Sequence, residues 1–208
     1  MNEKNFWNKL ADRYDASVQK TYADAYRDTV SLTRRYLKKE SRLLDYGCGT
    51  GIITNQIASD VQGITAIDIS DQMIRNAAGK AEELKITNID YLTAGLSDER
   101  IRSGSYDTIT AFNVLYFVKD VKTLLRRFYD MLPDGGLFLS VTDCLGGKRS
   151  VKRGLTRLLM NFGFLPYMKD FTMEELTGII QKAGFTILET KNLFDEPPNL
   201  YVAAKKES

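Results

Sequence analysis

Leu43-Leu44-Asp45-Tyr46-Gly47-Cys48-Gly49-Thr50-Gly51, with Ala66-Ile67-Asp68-Ile69-Ser70 downstream, is the stretch whose reading decides the fold. An apolar run that ends in an acid and then three alternating glycines reads as a buried parallel strand breaking sharply at its carboxyl end. Without Cβ atoms, Gly47, Gly49 and Gly51 permit positive φ and let a bound molecule touch the backbone. The following Ile52 to Ala58 is expected to open a helix, whose first N–H groups favour an anionic ligand group. Gly63 to Ile69 is a short β-branched run carrying Asp68, about 20 residues after the first glycine; in a doubly wound sheet an acid there lies beside the crevice and accepts ribose hydroxyls. Together these features read as a nucleoside-cofactor site. The nicotinamide fingerprint G-x-G-x-x-G would need glycine at position 52, and Ile52 stands there instead, which argues against a dinucleotide.

The chain has 208 residues, a net charge of +2, two cysteines and no histidine. That length suits one domain, taken as 1–208, and so balanced a charge does not by itself suggest nucleic acid. No apolar run is long enough to span a bilayer and no leader pattern is present, so a cytoplasmic location is the expectation. Cys48 and Cys144 make neither a disulfide framework nor a metal cluster and read as free thiols; no metal site is expected. The lack of histidine removes the commonest general base.

Outward from the glycine turn, the pattern alternates strands and helices. Phe6, Trp7, Leu10, Ala11 and Tyr14 recur at helical spacing within a leader spanning 1–40, and a second helix is expected from about Ala23 to Leu37. Ser70 reads as the N-cap of a helix presenting Met73, Ile74, Ala77, Ala81 and Leu84. Strands follow at about Ile89 to Ala94, Tyr106 to Asn113 and Leu137 to Thr142, with Asp120 capping a helix that carries Leu124, Leu125, Phe128 and Leu132. Thr172-Met173-Glu174-Glu175 is a capping box, and Gly184 stops its helix. Two closing strands, about Phe185 to Leu193 and Leu200 to Ala204, are joined so closely that they must form an antiparallel hairpin.

On these residues the chain resembles the class I S-adenosylmethionine-dependent methyltransferases, in particular the small-molecule group that includes ubiquinone and menaquinone biosynthesis enzymes. The likeness rests on the D-x-G-C-G-T-G turn and on Trp7 to Asp15, which is similar to a W-x-x-x-A-x-x-Y-D leader. Ser105 to Leu115, Leu132-Pro133-Asp134-Gly135-Gly136, and Phe171 to Leu176 with Ala183-Gly184-Phe185 extend it over nearly the whole chain. It implies an α/β fold with a seven-stranded, mostly parallel sheet, the last strand inserted antiparallel between its two predecessors.

The resemblance also implies S-adenosyl-L-methionine as cofactor. Gly47, Cys48, Gly49 and Gly51 would surround its methionine part, with Asp45 supporting the loop. Asp68 would take the ribose hydroxyls, while Ile69 and Met73 line the adenine. Where many relatives have an acid for the adenine amino group this chain has Gly95 and Leu96, so backbone there, or nearby Ser97 or Asp98, is expected to substitute. Asn113 is expected to face the methionine part and the acceptor. Methyl transfer depends chiefly on positioning. The candidates to line the acceptor pocket are Tyr14, Tyr22 and Tyr116, with Tyr116 standing where several relatives have a histidine, and Asp15 and Asp143 are candidate proton acceptors.

The segment 144–170 reads as a substrate cap. Leu155, Leu158, Leu159 and Phe162 fall on one helical face, opposite Arg149, Lys152, Arg153 and Arg157, a basic side (148–157) suited to an anionic group or a membrane surface. An ordinary surface helix explains the same pattern. The expected activity is methyl transfer to a small molecule. The alternatives are modification of a macromolecule such as tRNA or protein, and a non-catalytic protein that binds S-adenosylmethionine or its product S-adenosylhomocysteine.

Overall fold

A computed structural model describes residues 2–101, 104–146, 160, 162 and 164–207. A seven-stranded sheet runs through it in the order β3-β2-β1-β4-β5-β7-β6. The strands are β1 (Arg42–Tyr46), β2 (Gly63–Asp68), β3 (Ile89–Thr93), β4 (Thr108–Phe112), β5 (Leu137–Asp143), β6 (Phe185–Asp195) and β7 (Pro198–Lys206). The first five pair in parallel. β7 pairs antiparallel with both β5 and β6, so it is inserted between them, as the resemblance implies. The central strand β4 is buried at every position, whereas the edge strand β3 is only half-buried.

Helices cover both faces: α1 (Glu3–Arg34), α2 (Thr54–Ile57), α3 (Asp71–Glu83), α4 (Val121–Met131) and α5 (Met173–Lys182). Two apolar layers result. One packs Leu125, Phe128, Phe138 and Leu176 between the sheet and helices α4 and α5; the other gathers Leu43, Ile57, Leu139 and Tyr201 on the opposite face. The expected caps are present. Ser70 Oγ accepts from Met73 N (3.1 Å), Asp120 from Thr123 N (3.1 Å), and Thr172 and Glu175 form the reciprocal box.

Three expectations need correction. The leader is a single helix of 32 residues rather than two, because Ala16 to Tyr22 contains neither Gly nor Pro to interrupt it. The helix after the glycines is a four-residue turn, α2, followed by a 3₁₀ turn at Ala58–Asp60, so it is shorter than the Ile52 to Ala58 helix expected. Leu84 caps α3 from outside and is 65% exposed instead of facing the core. The proposed cap residues Arg149, Lys152, Arg153, Leu155, Arg157, Leu158 and Leu159 lie outside the described residues; Phe162, the described member, is exposed.

α1 positions the site from above. Its first half is tied to the start of α3: Lys4 pairs with Asp71 (2.8 Å), and Asn8 Oδ1 accepts from Ser70 Oγ (2.6 Å) and Gln72 N (3.2 Å). Just past its other end, Arg35 and Tyr36 both donate to Glu189 on β6. No helix among the described residues is long and apolar enough to cross a membrane.

Candidate cofactor and acceptor site

Strands β2 and β4 flank β1 on opposite sides, so the chain crosses the sheet in opposite senses from it. The carboxyl ends of β1 and β4 therefore bound a crevice, the place where open α/β sheets bind ligands. A cavity of about 340 Å³ opens there, within the range of small-molecule sites. Ile69, Met73 and Ala94 form one apolar end of its wall, Asp68 and the backbone of Gly47 and Gly49 contribute the polar part, and Trp7, Tyr14, Asn113 and Phe117 also line it.

The glycine turn is built by its backbone. Gly47, Gly49 and Gly51 all have positive φ, and the N–H groups of Gly47 and Cys48 both donate to Ile67 O, at 2.8 and 3.0 Å. A Cβ on Gly47 would approach Val114 Cγ2 to 2.5 Å and one on Gly51 would reach 2.7 Å from the Tyr91 hydroxyl, so both are packed against protein. Gly49 differs: a Cβ there meets nothing within 4 Å. Gly49 is thus the glycine kept bare on the cavity side.

Asp68 holds the turn to β2. Its Oδ2 accepts from Gly49 N (3.1 Å) and its Oδ1 from Ser70 N (2.8 Å). Burial raises its pKa, and these N–H donors oppose that rise. Asp45 is deeper and does not touch the main cavity. It accepts from Thr54 Oγ1 (2.6 Å) and Thr110 Oγ1 (2.7 Å), joining the turn to β4, while burial raises its pKa to about 6.

The sign of that shift gives a test. The unfolded chain releases the Asp45 proton near 3.8 and the folded one near 6. Between those values the folded state binds more protons, so stability from this group is greatest in acid and falls as pH rises through 6. The rise corresponds to roughly 3 kcal/mol at neutral pH. Thermal unfolding should therefore occur at a lower temperature at pH 7 than at pH 5.5, and Asp45→Asn should shrink that difference. A slope identical in the variant would refute the assignment.

The candidate residues do not all gather at the cavity. Tyr14, Gly47, Gly49, Asp68, Ile69, Met73 and Asn113 line it. Gly95 and Leu96 do not, since Ala94 ends the β3 wall; Gly95 O accepts from Asp98 N, and Leu96 is buried with its carbonyl taken by Arg127 (2.7 Å). Asp98 itself is engaged by Arg100. Cys48 lies in a small adjoining pocket, its thiol pKa raised well above the usual value by burial. Asp15 is held between Thr50 Oγ1 and Lys80 Nζ, which clamps α1 onto the glycine turn and α3. Tyr22 stacks against Phe194 at 4.9 Å, and Tyr116 is buried beside Phe117 at 4.2 Å.

Asp143 stands behind the cavity. Its Oδ1 accepts from Asn199 Nδ2 (2.7 Å), its antiparallel partner across β5 and β7, and burial lifts its pKa to about 6. The same amide nitrogen donates to Asn113 Oδ1 (2.9 Å). Asn113 has φ +54, so the strand end turns its side chain out of the sheet, and its Nδ2 lies 3.4 Å from the Tyr26 hydroxyl. Tyr26 in turn meets Tyr14 at 3.1 Å. Burial raises the pKa of Tyr14 and Tyr116 well above the ordinary phenol, so both stay protonated at neutral pH.

Sequence reasoning missed Tyr26 and Asn199. Tyr26 was signalled by the i, i+4 series Tyr14, Val18, Tyr22, Tyr26, visible once α1 is unbroken. Asn199 carries no local signal, because only the β5–β7 register brings it to Asp143.

A methyltransferase-domain family matches residues 14–190. The ubiquinone biosynthesis O-methyltransferase of Methylobacterium nodulans is 28% identical over 170 residues, covering 79% of this chain and 68% of that protein. The malonyl-[acyl-carrier protein] O-methyltransferase of Priestia megaterium is 26% identical over 186 residues, covering 86% and 66%. The chain thus spans about two thirds of the length of these relatives. Among solved structures, Haemonchus contortus phosphoethanolamine N-methyltransferase 2 in complex with S-adenosyl-L-methionine superposes with a TM-score of 0.73 at 18% identity, over 97% of this chain and 60% of that one. The residues fit such a cofactor: a bare Gly49 backbone, a carboxylate facing the cavity and an apolar end beyond it. A family match over most of its length, on a sheet whose switch point carries this cavity, places the chain in the class I S-adenosylmethionine-dependent methyltransferases.

Proposed function

We propose that the chain methylates a small molecule whose reacting atom enters the same cavity beside Trp7, Tyr14 and Phe117. The observation that carries this reading is continuity: one cavity reaches from the expected adenine wall at Ile69 and Met73 to an aromatic wall in which Trp7 and Phe117 pack edge to face at 4.8 Å. When bound, the cofactor supplies an electrophilic methyl group on a sulfonium centre. Asp68 and the glycine turn fix where that methyl group lies, and the aromatic wall orients the acceptor and excludes water, which is where catalysis of this kind gains most. Electron-rich ring faces near a cationic sulfur add attraction.

The names of both relatives specify transfer to oxygen, which supports an oxygen acceptor. The chain contains no histidine, and Tyr14 and Tyr116 keep their protons. Asp15 is occupied by Lys80 and Thr50, and Asp143 is separated from the cavity by Asn199 and Asn113. The described residues thus supply position rather than a strong base, which suits an acceptor such as a carboxylate or an acidic phenol.

Calorimetry should show saturable one-to-one binding of S-adenosylhomocysteine and none of NAD. A screen with methyl-labelled cofactor should then label carboxylic or phenolic small molecules. Label found only in tRNA or protein would replace this reading with the macromolecular one, and absence of any transfer with intact cofactor binding would replace it with a sensor.

A further inference from the structure

A purine held at the apolar end of the cavity brings an amino group on its ring edge, and burying that group without an acceptor costs binding energy. The loop after β3 supplies no acceptor. Gly95 has no side chain, and a Cβ built there would meet nothing within 4 Å. Its carbonyl accepts from Asp98 N, the Leu96 carbonyl is taken by Arg127, and the Asp98 carboxylate is held by Arg100.

Tyr46 offers the oxygen that the loop lacks. It is the last residue of β1, and the register sets it beside Ile67 of β2, with Ala94 just past the end of β3 on the far side of β2. All three line the cavity. The Tyr46 ring packs edge to face on Phe128 of α4 at 5.3 Å, which holds its plane. Its hydroxyl has no hydrogen-bond partner among the described residues, yet it is not sealed in the core as the unpaired hydroxyls of Thr33, Ser140, Thr142 and Tyr201 are. Burial, then the charges of Asp68 and Glu3, raise its pKa against the opposing charge of Arg127, so it is an undissociated phenol at neutral pH. Such an oxygen accepts as well as donates. Glu3 also lines the cavity, but from the first turn of α1, and helix ends fray; Tyr46 stands on a strand inside the sheet.

We infer that the Tyr46 hydroxyl accepts a hydrogen bond from the amino group of the cofactor's adenine, the role that no side chain at Gly95 can fill. This assignment rests on the S-adenosylmethionine reading given above.

The test is a cycle between one side chain and one ligand group, read by calorimetry on the full chain. Its probes are S-adenosylhomocysteine and the analogue whose purine carries hydrogen in place of the 6-amino group. The unaltered chain should bind S-adenosylhomocysteine about fivefold more tightly than the analogue, the scale of one hydrogen bond between neutral groups. Tyr46→Phe keeps the ring against Phe128 and removes an oxygen that no described residue engages, so its unfolding temperature should not fall. Its preference between the probes should shrink below about twofold, through weaker binding of S-adenosylhomocysteine and not of the analogue. Glu3→Gln should keep the preference. Three results would overturn the inference: no preference in the unaltered chain, a preference that survives Tyr46→Phe because both probes weaken equally or neither does, or loss of the preference in Glu3→Gln. Failure of the unaltered chain to bind S-adenosylhomocysteine at all would instead remove the cofactor reading, and the inference with it.

Discussion

Asp68→Ala is expected to lower S-adenosylhomocysteine affinity by at least about 100-fold, the sum of two hydrogen bonds from ribose hydroxyls to a charged acceptor. The argument begins with what the carboxylate does without a ligand. It joins the end of β2 to the glycine turn through Gly49 N and holds Ser70 N at the start of α3, so it is fixed in place while still lining the cavity. The alanine variant loses both the acceptor and the link, and some stability with them. Asp68→Asn separates the two. It keeps one oxygen for a backbone N–H and removes a charge whose ionisation burial disfavours. Its unfolding temperature should therefore stay near that of the unaltered chain while its affinity falls by about tenfold or more. Calorimetry and thermal unfolding on the same preparations check both halves. Affinity within twofold of the original in Asp68→Ala would place the ribose elsewhere.

How far this site was legible in the sequence depends on the range over which each residue is placed. Gly47, Gly49 and Asp68 were readable because each is positioned by its own strand end, and a strand followed by glycines has few ways to fold. The insertion of β7 came from the family likeness together with the short hairpin connection. Gly95 and Leu96, carried over from the family likeness, do not line the cavity; β3 stops at Thr93, and Ala94 just beyond it is the residue that does. Tyr26 was lost to a helix boundary drawn where none exists. Asn199 was beyond reach, since its role is created by pairing with Asp143 across 56 residues of chain. Asp143 and Asn113 were both identified, but the bond between them passes through that unseen side chain. Local physics thus exposed the cavity wall, and the long-range register determined what stands behind it.

The glycines of the turn should separate stability from binding when each is replaced by alanine. Gly47→Ala forces an L-residue to hold φ +72 and drives its Cβ to 2.5 Å from Val114 Cγ2, on a β-branched side chain with little freedom to rotate away. The left-handed conformation costs about 1–2 kcal/mol and the overpacking about 1–3 kcal/mol. For a chain of this size the unfolding temperature should fall by roughly 10 °C. Gly49→Ala has φ +55 but no neighbour within 4 Å of the new Cβ, so only the conformational cost applies, and the fall should be about 3 °C. Its methyl group nevertheless stands at the cavity surface where the backbone should meet the cofactor, and affinity for S-adenosylhomocysteine should drop by about tenfold or more. The N–H that Gly49 gives to Asp68 survives in the variant, so a loss of binding there cannot be ascribed to a broken loop. The order of the two variants should therefore invert between the assays: Gly47→Ala the worse in thermal unfolding, Gly49→Ala the worse in affinity relative to its stability. If Gly49→Ala bound as tightly as the unaltered chain, the open side of the turn would face solvent and not the cofactor.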